Sequence, residues 1–329
     1  MKKLTDLVTP FSSVAKELTL PGQEFSWLNS MRLKALAQFN SQGLPAKKEE
    51  DWKYTSLWSF GQQAFTHQAA ASSITAEQCQ QLALLKDAYR VVIIDGVFSA
   101  EMSQLDNLPA GLVISPLSKG LALAQPHLGA QIQLEKAGFN ALNTFLMQEG
   151  VVISVDSNTR VAKSIELLVI NTGSTEALAS HLRNVIVLAD SSQATVVEHY
   201  VGLNEAVSLT NVVTEVVLAH NTMLNHYKLQ QESKNAFHIA TLAAKQAASS
   251  HWNTNNISLG GKLARNDVHS QLLGEQSHVT MDGLYLVTGE QHVDNHTRID
   301  HAVPNTTSDE LYKGVLDGNS HAVFNGKVI

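Results

Sequence analysis

The residues most able to do chemistry sit close together near the end of the chain. Segment 290–301, EQHVDNHTRIDH, brings His292, Asp294, His296, Asp300 and His301 within one short stretch. Imidazole and carboxylate are the ordinary ligands of zinc and of non-haem iron. On a β-strand, His292, Asp294, His296, Arg298 and Asp300 share one face, and Val293, Asn295, Thr297, Ile299 and His301 share the other. A strand rises ~3.3 Å per residue, which separates His292 from His296 by roughly 13 Å. One ion between them needs a corner in the chain, or Asp294 with one histidine and a third ligand from a neighbouring strand. His292, Asp294 and His296 are therefore weak metal candidates. The alternative is a polar outer ladder with Asp–Arg pairing.

Other reactive side chains give less. Cys79 is the single cysteine, so it can make no intrachain disulfide and cannot alone hold an iron–sulfur cluster. It reads as a small buried or half-buried residue. Lys313 and Lys327 neighbour glycines in YKG and NGK, but G-x-x-x-x-G-K-[ST] is not present, and the glycines are expected to supply positive φ at corners. No G-x-S-x-G occurs, and segment 304–308, PNTTS, reads as a loop. No histidine column forms when His220 and His226 are aligned with later segments, and both are expected at the surface or in turns. No catalytic and no cofactor-binding residue is assigned.

Composition narrows the field. The chain has 329 residues, 44% hydrophobic and 16% charged, with a net charge of −7. A sizeable core can form, and extended disorder is excluded. Clustered positive charge for nucleic acid is lacking. No stretch approaches about 18 apolar residues, so no membrane helix is expected. Asp6 and Pro10 interrupt the first apolar run, which argues against a signal peptide and for the cytoplasm.

The elements that must position these groups divide in three. Residues 1–88 read as a helical N-terminal domain, 89–150 as an α/β connecting segment and 151–329 as the repeat core. Trp27, Met31, Ala35 and Phe39 recur every fourth residue, with Leu28, Leu33 and Leu36 widening the stripe, and Gly43 and Pro45 end that helix. Trp52, Tyr54, Leu57, Trp58 and Phe60 crowd together next, and 61–73 reads as a surface connection. A short helix starts at Thr75. YRVVIIDGVFS reads as a strand and turn, and FNALNTFLMQEG as a helix ended by Gly150.

After Val151 the chain repeats a strand end, a polar turn and a new strand. Leu188, Leu218, Leu242, Leu272 and Leu316 give offsets of 30, 24, 30 and 44, as if one copy near Val293 were degenerate. A loose period of 22–30 residues rich in Val, Thr and Ser predicts an all-β solenoid, a β-helix. The sequence stops at VFNGKVI inside an apolar β pattern, and the expectation is a solenoid truncated before its C-terminal cap, or one covered by a partner.

Several of these segments resemble one family. His296-Thr297, Ile299, His301, Pro304, Ser308, Tyr312-Lys313-Gly314-Val315-Leu316 and Val323-Phe324-Asn325-Gly326-Lys327 resemble the core signature of the SufB/SufD proteins of the SUF iron–sulfur assembly system. Arg32, Ala35, Phe39, Gly43, Pro45, Glu50, Trp52, Lys53, Tyr54, Thr55 and Leu57 resemble its N-terminal signature. The likeness is closer to SufD, since no cysteine lies in the β region. It implies a right-handed parallel β-helix after a small α-helical N-terminal domain, with a helical domain normally following. It implies a non-enzymatic scaffold that partners a SufB-type paralogue and a SufC-type ATPase and contributes to iron supply. Iron or a nascent cluster is then handled by the whole complex, by ligands largely outside this chain. A homodimer through the solenoid end is a further expectation. The competing readings are a secreted-type β-solenoid polysaccharide enzyme, for which an export signal, aromatic platforms and an acidic cleft are missing, and a purely structural solenoid.

Overall fold

A computed structural model describes residues 8–15, 17–69, 74–132, 138–173 and 176–329. The start of the chain that bears on the signal-peptide question, and part of the connection expected at 61–73, lie outside the described residues.

The N-terminal part carries α1 (Val8–Val14), α2 (Ser26–Gln42), a 3-10 turn at Glu50–Trp52, α3 (Trp58–Gly61), the short strand β1 (Phe65–Thr66) and α4 (Ala76–Leu82). Helix α2 ends where Gly43, at φ 70, donates its N–H to Phe39 O. Its buried face is Leu28, Arg32, Ala35 and Phe39, whereas Leu33 is exposed. Trp27, Met31 and Leu36 are half-buried against the core, so of the expected stripe only Leu33 departs. Buried Arg32 turns inward to reach Met147 O. Thr75 and Gln78 form a reciprocal capping box on α4, which buries Cys79. Of the crowded apolar side chains, Trp52, Leu57 and Phe60 are buried, but Tyr54 and Trp58 face solvent. The expected surface connection contains β1, which pairs with the solenoid.

The connecting segment holds β2 (Tyr89–Ile94), β3 (Val97–Phe98), β4 (Leu112–Pro116), α5 (Leu117–Ala124) and α6 (Gly138–Leu146). Asp95 and Gly96, both at positive φ, make the β2–β3 turn. Helix α6 stops at Leu146, earlier than Gly150. Gly150 instead lets two backbones meet, because a Cβ there would stand 1.9 Å from Arg183 O.

The core is a β-solenoid of about six turns. Its strands are β5 (Val151–Val155), β6 (Ile165–Asn171), β7 (Ala177–Leu188), β8 (Gln193–Gly202), β9 (Ser208–Leu218), β10 (Met223–Gln231), β11 (Phe237–Gln246), β12 (His251–Ser258), β13 (Leu263–Leu272), β14 (His278–Val287), β15 (His292–His301), β16 (Thr307–Leu316) and β17 (His321–Val328). Odd-numbered strands from β5 to β17 stack in parallel as one sheet, and even-numbered strands from β6 to β16 as the other. Strands β4 and β3 close the two sheets at the N-terminal end as antiparallel neighbours. Val, Leu and Ile of both inner faces, with Trp252, fill the space between. The outer face of the first sheet is covered over much of its length by the N-terminal helices and α6.

The pairing corrects the coil length. Leu188 pairs with Leu218, Leu218 with Gln246, Gln246 with Leu272 and Leu272 with His301, so these four turns advance 26–30 residues and the copy near Val293 is a regular one. Leu242 is four positions out of register, and Leu316 belongs to the other sheet, opposite Val287. The repeating element is a corner. Asn158, Ser191, Asn221, Ser249, Gln276 and Asn305 each adopt φ between 56° and 62°. Successive corners are joined by backbone bonds such as Ser191 N–H to His220 O and Asn221 N–H to Ala248 O. Gly314 and Gly326 lie within strands and are not corner residues. A Cβ on Gly314 would meet the Tyr285 ring at 1.9 Å, and one on Gly283 the Tyr312 ring at 2.1 Å. These are reciprocal cross-strand pairs in which glycine makes room for tyrosine.

Candidate functional site

The outward face of β13, β15 and β17 carries the polar ladder. Parallel register aligns Arg265 with Asp294, Asp267 with His296 and Asn325, and His269 with Arg298 and Lys327. The alternation read from the sequence therefore holds, but this face is not open water. The 3-10 turn and the residues after it lie on it. Arg265 Nη1 donates to Asp294 Oδ2 at 2.5 Å and to Asp51 O at 2.7 Å, while Nε and Nη2 grip Asp267 at 3.0 and 2.9 Å. The Trp52 ring lies 4.0 Å from the Arg265 guanidinium and stacks on Phe139 on its other side. Lys327 reaches Asp51 at 3.1 Å.

Asp294 is the hub of this contact. Its Oδ2 also accepts the Thr55 hydroxyl at 2.5 Å, and His296 Nε2 stands 3.0 Å from its Oδ1. Thr55 has one proton, and it goes to the carboxylate. His292 Nε2, 3.0 Å from the same hydroxyl oxygen, must then be the donor, which fixes the His292 tautomer. Burial alone would raise the Asp294 pKa, but the His296 hydrogen bond and the Arg265 charge hold it below the ordinary carboxylate value. Burial lowers that of His292. The fold thus brings His296 directly to the Asp294 carboxylate and links His292 to it through Thr55. Among the described residues, no three His, Cys, Asp or Glu side chains converge on one ion position. Asp–Arg pairing is present between strands as Arg265–Asp294 and within β15 as Arg298–Asp300.

A second polar assembly lies inside the solenoid. Glu198, His226, Lys228, Glu232 and His238 are all buried in the coils built from β8 to β11. Glu198 Oε1 accepts from Thr214 at 2.9 Å and lies 3.2 Å from His226 Nε2, and its Oε2 accepts from the Tyr200 hydroxyl at 2.5 Å. His226 Nδ1 meets Thr254 at 3.0 Å. Glu232 Oε2 stands 2.7 Å from His238 Nδ1 and accepts from Gln230 at 3.1 Å. Burial opposes the Glu198 charge, yet the His226 and Tyr200 contacts pull its pKa down to about 2. Burial lowers the Lys228 pKa to about 8, against the pull of Glu198 and Glu232. This overturns the expected surface or turn placement of His226. His220 does lie in the turn between β9 and β10.

No sequence signal marked the interior set as a unit. On β10, His226, Lys228 and Gln230 point inward while Tyr227 is exposed, the reverse of the usual phase. The one available clue was the strict alternation of NHYKLQ itself. Cys79, on α4, is buried against β2 and β6, and burial raises its pKa, so its thiol is not an activated nucleophile. No helix among the described residues is long and apolar enough to cross a membrane.

Two family models together match nearly the whole chain. Residues 169–329 match the family model described as the SUF system FeS cluster assembly, SufBD core domain, and residues 2–167 match the SufBD protein N-terminal region. The chain is 26% identical to an iron–sulfur cluster assembly SufBD family protein of Synechocystis, over 99% of this chain and 74% of the relative. It is 30% identical to the iron–sulfur cluster assembly protein SufD of Escherichia coli, over 89% of this chain and 67% of the relative. With SufD of Bacillus subtilis the identity is 23%, over 92% and 71% of the two chains.

Proposed function

We propose that this chain, which belongs to the SufBD family of the SUF system, is a non-catalytic scaffold subunit in iron–sulfur cluster assembly. Family membership gives the role in cluster assembly. The finer reading is that the chain pairs with a SufB-type paralogue and a SufC-type ATPase in the cytoplasm and aids iron acquisition. In this reading iron or a nascent cluster is the cargo of the complex, and nucleotide turnover belongs to the ATPase.

One observation carries the scaffold reading. The N-terminal signature and the core signature interlock, with Trp52 on Arg265 and Thr55 on Asp294. The polar groups most able to do chemistry are thereby spent on fastening the two parts together. A chain built this way offers a fixed solenoid surface rather than a reactive cleft. Deleting the gene under iron limitation and assaying iron–sulfur enzymes in extracts tests the role. The expected result is a fall in those activities with unchanged enzyme protein, restored by the reintroduced gene. Unchanged activities would contradict it.

A further inference from the structure

We infer that the solenoid interior holds one ordered water molecule between Lys228 and Asn256. The two residues are register partners on β10 and β12, and both point inward. Beside them is a space of about 20 Å³ lined by Glu198, Lys228 and Asn256 together with apolar Val212, Leu242 and Val268. That is room for a single water.

The hydrogen bonds around this space fix what it can accept. An ammonium has three N–H donors. One from Lys228 goes to Asn266 Oδ1 at 2.6 Å, and the Tyr200 ring lies 5.6 Å away. Because Asn266 turns its oxygen to Lys228, its Nδ2 faces Asn295 Oδ1, at 3.0 Å. Asn256 must then also present Nδ2 to Asn295 Oδ1, at 3.2 Å. Its own Oδ1 is left buried and without a partner. The glutamate next to Lys228 in register, Glu198, already receives Tyr200 and Thr214 and faces His226. Lys228 thus keeps donors beyond the one given to Asn266, Asn256 Oδ1 is an unmet acceptor, and both residues line the space. Burying both unmet is costly. Water alone among small solutes satisfies both. A halide would face Asn256 Oδ1 and the Glu198 carboxylate, and a cation would face the Lys228 ammonium.

The test is a crystal structure of the full chain at a resolution that shows ordered solvent, paired with oxygen-17 relaxation dispersion on wild type and Asn256→Leu. The expected density is one peak within hydrogen-bond reach of both Lys228 Nζ and Asn256 Oδ1. The expected dispersion change is the loss of one long-lived water in the variant. An empty space, a peak that refines as an ion, or a direct Lys228–Asn256 bond would each overturn the inference. The wild-type density decides the matter by itself if Asn256→Leu does not fold.

Discussion

Arg265 on β13 and Asp294 on β15 are register partners whose side chains meet at 2.5 Å, and both are buried beneath Trp52 and Thr55. Neither charge can be left alone there. Removing one partner of a buried pair typically costs ~3–5 kcal/mol, whereas replacing both by apolar groups costs far less. Arg265→Met is expected to lower unfolding stability by about that amount in urea, and Arg265→Met with Asp294→Leu to recover most of it. Equal losses in the single and double variants would show that the pair is not the fastening.

Trp52 should behave as the second half of the same joint. It is sandwiched between Arg265 and Phe139. Trp52→Ala removes a buried aromatic and its cation contact, at ~3–5 kcal/mol. Limited proteolysis of this variant should cut first in the N-terminal part. Cleavage starting within the solenoid would count against a joint at this position.

The glycine–tyrosine pairs near the C-terminal turns make a steric prediction. Gly283→Ala places a Cβ into the Tyr312 ring and should destabilise by ~1–3 kcal/mol, the range for an overpacked site. Gly283→Ala combined with Tyr312→Ala should relieve the clash, leaving only the lost ring. An unaffected melting temperature in the single variant would mean that Tyr312 swings away freely.

Acid should weaken the protein once pH falls below the ordinary histidine value. His67 and His181 stack at 5.4 Å between ring centres, both buried, and burial pushes the His67 imidazole down to about 4. The folded state thus disfavours the protonated ring that the unfolded chain accepts near 6.5. The stability is complete above 6.5 and is lost as pH falls toward 4, by about 3 kcal/mol for this group. The melting temperature of wild type should fall relative to that of His67→Leu across that window. Parallel curves for the two proteins would remove His67 as the cause.

Much of this organisation was legible in the sequence because it is local. Gly43 ending α2, the Thr75 cap and the Asp95-Gly96 turn each depend on neighbours a few residues away. The face assignment of β15 followed from simple alternation. The coil length did not, because the register is set by left-handed corners occupied by Asn, Ser and Gln, while leucine recurs only in places. Glycines 283 and 314 explain themselves only once the facing tyrosines are known. The interior polar set was hidden for a similar reason. His226, Lys228 and Gln230 show the same period as an exposed polar face, and only the partner strands reveal that they point inward.

The measurement closest to the central claim is co-purification. The protein, tagged and expressed with a SufB-type paralogue and a SufC-type ATPase, would be passed through affinity and size-exclusion steps in salt. A scaffold subunit of the SUF system should elute with both partners in fixed ratio, and Arg265→Met should weaken that association in step with its loss of stability. Elution alone, as a monomer or as a homodimer that excludes both partners, would contradict the account.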